Sequence, residues 1–259
     1  MDQKLSSATP GPVKQRILVW DIPVRLFHWL LAGGFLSAYY IAKFLGEDST
    51  AFPYHAMLGL TLGLMVLLRL VWGIIGTRWA RFSELLTYPG ELIAYFRGIF
   101  SSRGKEYTGH NPATRWTVLI MFALVLALGW TGYQTAAGGE LESVHGILAN
   151  ILLAVSGVHV CGVVFHVLRK RDGIILSMVH GHKQGDPGDA IKGSHALAGV
   201  AFLALIGFFF GSLATSFNPA TGSTKWPLIS TRLLLGESEG EGYAGGANEQ
   251  QESSESDGD

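Results

Sequence analysis

The chain has 259 residues, 48% of them hydrophobic, with 15% charged residues and a formal net charge of −1. That balance gives no sign of a strongly charged partner, and no nucleic acid is expected; the single cysteine, Cys161, excludes an internal disulfide, a CxxC-type cluster and a CxxCH site for covalent haem. The apolar residues fall in blocks of about 20, the length of a helix that crosses a ~30 Å hydrocarbon core, so the chain is predicted to be an all-α integral membrane protein.

Residues 1–25 read as a cytoplasmic N-terminal arm, positive through Lys4, Lys14, Arg16 and Arg25, with Pro10, Gly11 and Pro12 against a long helix. No signal-peptide pattern precedes the first span. The first span is predicted at Leu26–Leu45 and the second at Tyr54–Ile75. Segment 76–115 is polar and mixed, and within it Glu84–Phe100 has the spacing of a short amphipathic helix lying on the membrane surface. The third span is predicted at Trp116–Gln134, the fourth at Val144–Leu168 and the fifth at His195–Phe217. Residues 218–259 form an acidic periplasmic tail, with eight carboxylates and no Lys or Arg from Gly236 onward. Such a composition cannot bury a core and predicts disorder. Six Lys/Arg in 76–115 and five after span four, against few on the other side, predict five spans with the N-terminus in and the C-terminus out.

The fourth span, with His145 at its start and His159 fourteen residues on, organises the bundle. Fourteen residues is just under four turns, so both rings leave one face, ~21 Å apart along the axis. Histidine in hydrocarbon marks a functional site. Two rings on one stripe, each needing a partner at its own depth, suit two stacked bis-histidine haems. His55 opens span two from the same side as His145. His28 lies near the start of span one, at the depth of His159. The predicted pairs are therefore His55 with His145 and His28 with His159. Gly59 and Gly63 follow His55 along its own face, Gly33 and Gly34 follow His28, and Gly157 and Gly162 flank His159. These make a groove for a porphyrin, or a close helix–helix approach, or both. Arg69, fourteen residues after His55, reaches the depth of the inner haem. It either pairs with a haem propionate or snorkels to the interface.

The other histidines are weaker candidates. His166 shares the face of His159, but pairing through it would push a porphyrin towards the headgroups, so it is left to a propionate or the interface. His110, in GHNP, reads as a turn or surface histidine. His180 and His182 lack a third metal ligand and read as surface loop. His195 is interfacial or lines a quinone pocket. The tryptophans near span ends form an aromatic belt.

These residues resemble a known family. VWDIPVRLFHWLL around His28, HAMLGLTLGLMVLLRLVWGIIGTRWARFS from His55, the GHNP loop and HGILANILLAVSGVH from His145 are similar, in the same order, to the b-type cytochrome subunit of membrane-bound nickel–iron hydrogenases and to the bacterial cytochrome b561 proteins. The resemblance covers about residues 17–182. It implies a four-helix dihaem membrane domain over 26–182, with a fifth helix at 195–217 outside the matched part. It implies two haems b on His28, His55, His145 and His159, with Arg69 beside them and no ligand from span three. It implies electron transfer between the quinone pool and a redox partner in the respiratory chain of the bacterial inner membrane, the partner being a periplasmic cytochrome c or an oxidoreductase catalytic subunit. The protein is then an electron-transfer protein rather than a stand-alone enzyme. The competing readings are a membrane-anchor subunit of a hydrogenase or other periplasmic oxidoreductase, a superoxide:quinone oxidoreductase, and a sensor or transporter using histidines for metal or protons.

Overall fold

A computed structural model describes residues 14–98, 107–137, 139–170, 173–227 and 232–235. The elements run β1 (Gln15–Leu18), α1 (Ile22–Tyr40), α2 (Phe52–Ile75), α3 (Pro89–Gly98), α4 (Pro112–Ala136), α5 (Glu142–Lys170), α6 (Ile174–His180), β2 (His182–Gly185), α7 (Ala196–Thr215), β3 (Ser223–Lys225) and β4 (Arg232–Leu234). The molecule is mostly helical. Among the described residues, two antiparallel ribbons, β1 with β2 and β3 with β4, depart from the expectation of an all-α chain.

Helix starts follow their local chemistry. Asp21 caps α1 by accepting the Val24 N–H at 2.9 Å, and Asn111 caps α4 by accepting the Thr114 N–H at 2.9 Å. Each is followed by a proline in the first turn, where a missing N–H costs no helical bond. α1 runs on through a wider π-turn, Ile41–Leu45, before Gly46 ends it at φ 81°. His195, the N-cap of α7, takes the left-handed conformation at φ 52°.

Four helices, α2, α4, α5 and α7, are long and apolar enough to cross a membrane by length and composition. α1 is not among them, because Arg25, His28, Ser37, Tyr39 and Tyr40 dilute its apolar content. The predicted amphipathic segment is shorter than expected: Glu84 belongs to a 3-10 turn ahead of α3.

A core of Phe27, Leu62, Met65, Val66, Phe122, Val125, Leu152, Phe202 and Ile206 joins α1, α2, α4, α5 and α7. α5 contributes only Leu152 to it among its described residues. The helices alternate in direction, so the segments between them gather at two ends. At one end lie β1, the turns after α2, residues 107–111, α6 and β2, here called the collar. Arg25 Nη1–H donates to the Val179 carbonyl at 2.8 Å and Trp29 Nε1–H to that of Met178 at 3.0 Å, tying α1 to α6. Asp189 gathers three further groups: it accepts from Arg78 Nη1 at 3.0 Å and Thr108 Oγ1 at 2.7 Å, and its carbonyl from Trp79 Nε1 at 2.9 Å.

The far end carries a second correction. The tail expected to be disordered from residue 218 instead folds back as β3 and β4. There Leu233 and Leu235, on one face of β4 and its end, pack on Met57, Leu213 and Phe217 and give this stretch apolar area to bury, while Leu234 between them faces out. The acidic run from Gly236 to Asp259, the arm before Lys14 and Phe100 of the expected amphipathic helix lie outside the described residues.

Candidate functional site

At the far end, His55 in the first turn of α2 faces His145 in the first turn of α5. Their ring centres are 5.9 Å apart with planes at 81°. His55 Nδ1 lies 2.9 Å from the Ala38 carbonyl of α1, an acceptor only, so Nδ1 carries the proton. His145 Nδ1 lies 3.0 Å from Thr131 Oγ1 of α4. That hydroxyl donates to the Ala127 carbonyl at 2.9 Å, so it accepts from the imidazole. Each ring is thereby held as the tautomer with an unprotonated Nε2, which is the form a metal takes. Metal–imidazole bonds of about 2 Å on opposite sides of one ion put the two ring centres about 6 Å apart. The observed spacing fits.

The surroundings leave room for a large planar group. At Gly59, Gly63 and Gly146 no atom lies within 4 Å of where a Cβ would stand. Gly132 of α4 lies close against the ligand instead: a Cβ there would stand 3.1 Å from His145 Cε1.

At the collar end, His28 of α1 and His159 of α5 are half-buried and within electrostatic reach of one another. His28 Nδ1 is sealed from solvent without a hydrogen-bond partner. Gly33, Gly157 and Gly162 open onto free space, whereas Gly34 serves close helix contact, since a Cβ there would come within 2.8 Å of Leu62 Cδ2. Arg69 is 4% exposed. It does not snorkel outward; Nη2 donates to the Ala80 carbonyl at 2.9 Å, the guanidinium carbon sits 5.8 Å over the Phe122 ring, and Nη1 is sealed and unpartnered.

Asp21 fixes the approach of these helices. It is fully buried, and besides capping α1 it accepts Trp72 Nε1–H at 3.1 Å and Thr77 Oγ1–H at 2.6 Å from the end of α2. A cavity of about 840 Å³ opens beside His159, between α3, α4 and α5, lined among others by Tyr95, Asn111, Trp116, Gly162 and His166.

The remaining histidines divide. His110 departs from the surface reading: its ring packs on Trp20 at 4.7 Å, and Nδ1 is sealed and unpartnered. Burial, then Arg69 and Arg115, push its pKa down to about 3. His180 and His182 bond to each other's backbone, and no cluster of three metal-binding side chains occurs among the described residues. His195 packs edge-on against Trp72 at 5.6 Å rather than lining the cavity. Sequence reasoning missed Thr131, Gly132, Asp21 and His110. Only Asp21 carries a signal, as a helix cap ahead of a proline.

A family model described as prokaryotic cytochrome b561 matches residues 19–181. The chain is 23% identical over 216 residues to the "Probable Ni/Fe-hydrogenase B-type cytochrome subunit" of Rhizobium leguminosarum bv. viciae, covering 66% of this chain and 90% of that protein. It is also 23% identical over 213 residues to the "Probable Ni/Fe-hydrogenase 1 B-type cytochrome subunit" of Escherichia coli (strain K12), covering 64% and 89%. The corresponding subunit of Rhodobacter capsulatus is 23% identical over 214 residues, covering 64% and 81%. No solved structure matches.

Proposed function

Because the chain belongs to the prokaryotic cytochrome b561 family, we propose that it is a transmembrane electron-transfer cytochrome b with two non-covalent bis-histidine haems, moving electrons between the quinone pool and a periplasmic redox partner. The single observation behind this reading is the far-end pair, His55 and His145, each with Nδ1 tied back and ring centres 5.9 Å apart. His28 and His159 would hold the second haem, with Arg69 Nη1 as the donor to a propionate. The haems would supply one-electron chemistry at iron with no open coordination position.

The chain's own residues set the rest. Ala38 and Thr131 orient the ligands of one site, the open glycines leave the porphyrin its groove, and the apolar helix faces keep water from it. Five spans are supported by the alternation of the helices, α1 with its π-turn included. Lys and Arg concentrate on the collar segments, which supports that end as cytoplasmic and the inner membrane as the location. The His28–His159 site is then the inner one. The cavity beside His159 has the size and largely apolar wall a quinone head requires.

The names of the relatives favour a second reading, a membrane anchor for a hydrogenase or another periplasmic oxidoreductase. Co-purification of a large catalytic subunit from native membranes separates the two. The test of the central proposal is pyridine haemochrome quantitation of the purified protein. Two haems per chain are expected, and one haem per chain would sink the pairing.

A further inference from the structure

Among the sealed, unpartnered nitrogens at the collar end are Arg69 Nη1 and His110 Nδ1. Arg69 is a buried guanidinium with Nη1 unpartnered, and a buried charge left short of partners is costly. Asp21 lies within electrostatic reach, but its oxygens are taken by Val24, Trp72 and Thr77. His110 Nδ1 is likewise sealed and unpartnered.

The two side chains are joined by a short path of contacts. Arg69 bonds the Ala80 carbonyl. Trp79, next in the chain, lies so close to Gly109 that a Cβ there would stand 2.3 Å from the Trp79 ring. His110 follows, its ring on Trp20 and its carbonyl accepting Arg115 Nε–H at 3.0 Å. Arg69, Arg115, His159 and Lys183 all lie within electrostatic reach of His110. A neutral imidazole set among cations and beside a haem ligand is suited to donate to a carboxylate.

We propose that Arg69 and His110 together form the receptor for one propionate carboxylate of the inner haem, with Arg69 Nη1–H and His110 Nδ1–H as its two donors. This rests on the reading that an inner haem lies between His28 and His159. His110 is then a positioning residue: its N–H fixes the porphyrin's rotation about the iron axis, while Arg69 offsets the propionate's charge.

The test uses full-length protein loaded with haem carrying ¹³C-labelled propionates, comparing wild type, His110→Phe and His110→Asn. Phe keeps a ring against Trp20 and removes the N–H, whereas Asn returns a shorter donor. Haem content should stay at two per chain. In redox-difference infrared spectra the labelled carboxylate band of the inner haem should shift in His110→Phe, and shift less in His110→Asn. The inner midpoint, identified as the one lost in His159→Ala, should fall in His110→Phe by a tenfold change in the ferrous-to-ferric ratio, ~59 mV for one electron. Combined with Arg69→Lys the effects should be non-additive, because both donors hold one group. An unchanged band and midpoint in His110→Phe with both haems present overturns the proposal, as does strict additivity with Arg69→Lys. If His110→Phe fails to fold, an unchanged band in His110→Asn overturns it equally. A wild-type protein that takes up no haem would defeat the cytochrome reading instead.

Discussion

Thr131 does for His145 what a backbone carbonyl does for His55. It accepts a hydrogen bond from Nδ1–H and donates its own O–H to the Ala127 carbonyl, so the acceptor's orientation is fixed by the α4 backbone. Such a bond makes the imidazole more electron-donating and, with a haem on His145 as proposed, would favour the oxidised iron. Thr131→Val keeps the shape and removes the acceptor. The outer haem's midpoint should rise on the order of 40 mV, the one-electron equivalent of a hydrogen bond worth ~1 kcal/mol, while haem content is unchanged. A spectroelectrochemical titration measures it. The ligands themselves should behave differently: His55→Ala or His145→Ala should remove the outer haem, and His28→Ala or His159→Ala the inner one. His166→Ala should keep full low-spin haem content in the same haemochrome assay. That His55 and His145 meet was legible in the sequence, because helical period and depth are both written along one strand of residues. Thr131 was not, because its tie to His145 depends on how α4 and α5 rotate against each other, which neither helix specifies alone. His110 was misread for a related reason. A loop residue between two spans looks solvated until Trp20 closes over it.

At the scale of elements, the start of α1 and the end of α2 are one joint made by Asp21. Its carboxylate serves three donors, two of them from the end of α2, and His28 stands two turns further along α1. Asp21→Ala would leave those donors buried and unpaired, at ~1–3 kcal/mol each. A loss of at least ~3 kcal/mol is expected, read as a lower denaturant midpoint in detergent. The inner Soret contribution should disappear before the outer one. Equal loss of both haems would show that the joint is not local to His28. The spans were legible from their apolar blocks, α2, α4, α5 and α7 within a few residues of the expected bounds. What was not legible were the polar elements between them. β1 and β2 pair Gln15–Leu18 with His182–Gly185, with Leu18 opposite His182 and Gln15 opposite Gly185, a register to which neither short strand points. The boundary expected after residue 182 falls inside that ribbon for the same reason.

For the whole molecule, the alternation of helices separates a polar collar from a far end closed by the β3–β4 ribbon. That ribbon packs on Met57, two residues past His55, so Leu235 lies at the end that carries the His55–His145 pair, and the acidic run follows it in the sequence. Its eight carboxylates would attract a basic partner. Truncation after Gly236 should slow electron transfer with such a partner at low ionic strength. The deficit should shrink towards ~0.15 M salt, where the Debye length is ~8 Å. Stopped-flow rates measure this, and identical second-order rates at low salt would remove the tail from docking. The collar has a consequence in time as well as in space. Asp189, which gathers Arg78, Trp79 and Thr108, is synthesised 111 residues after Arg78. Until it leaves the ribosome, Arg78, Trp79 and Thr108 lack the residue that gathers them, although Thr77 and Ala80 already have Asp21 and Arg69. Biogenesis therefore has an order, with helix insertion first and collar closure last. Nascent chains stalled before Asp189 emerges should be cut by trypsin at Arg78 or Arg81, and those stalled well beyond it should resist.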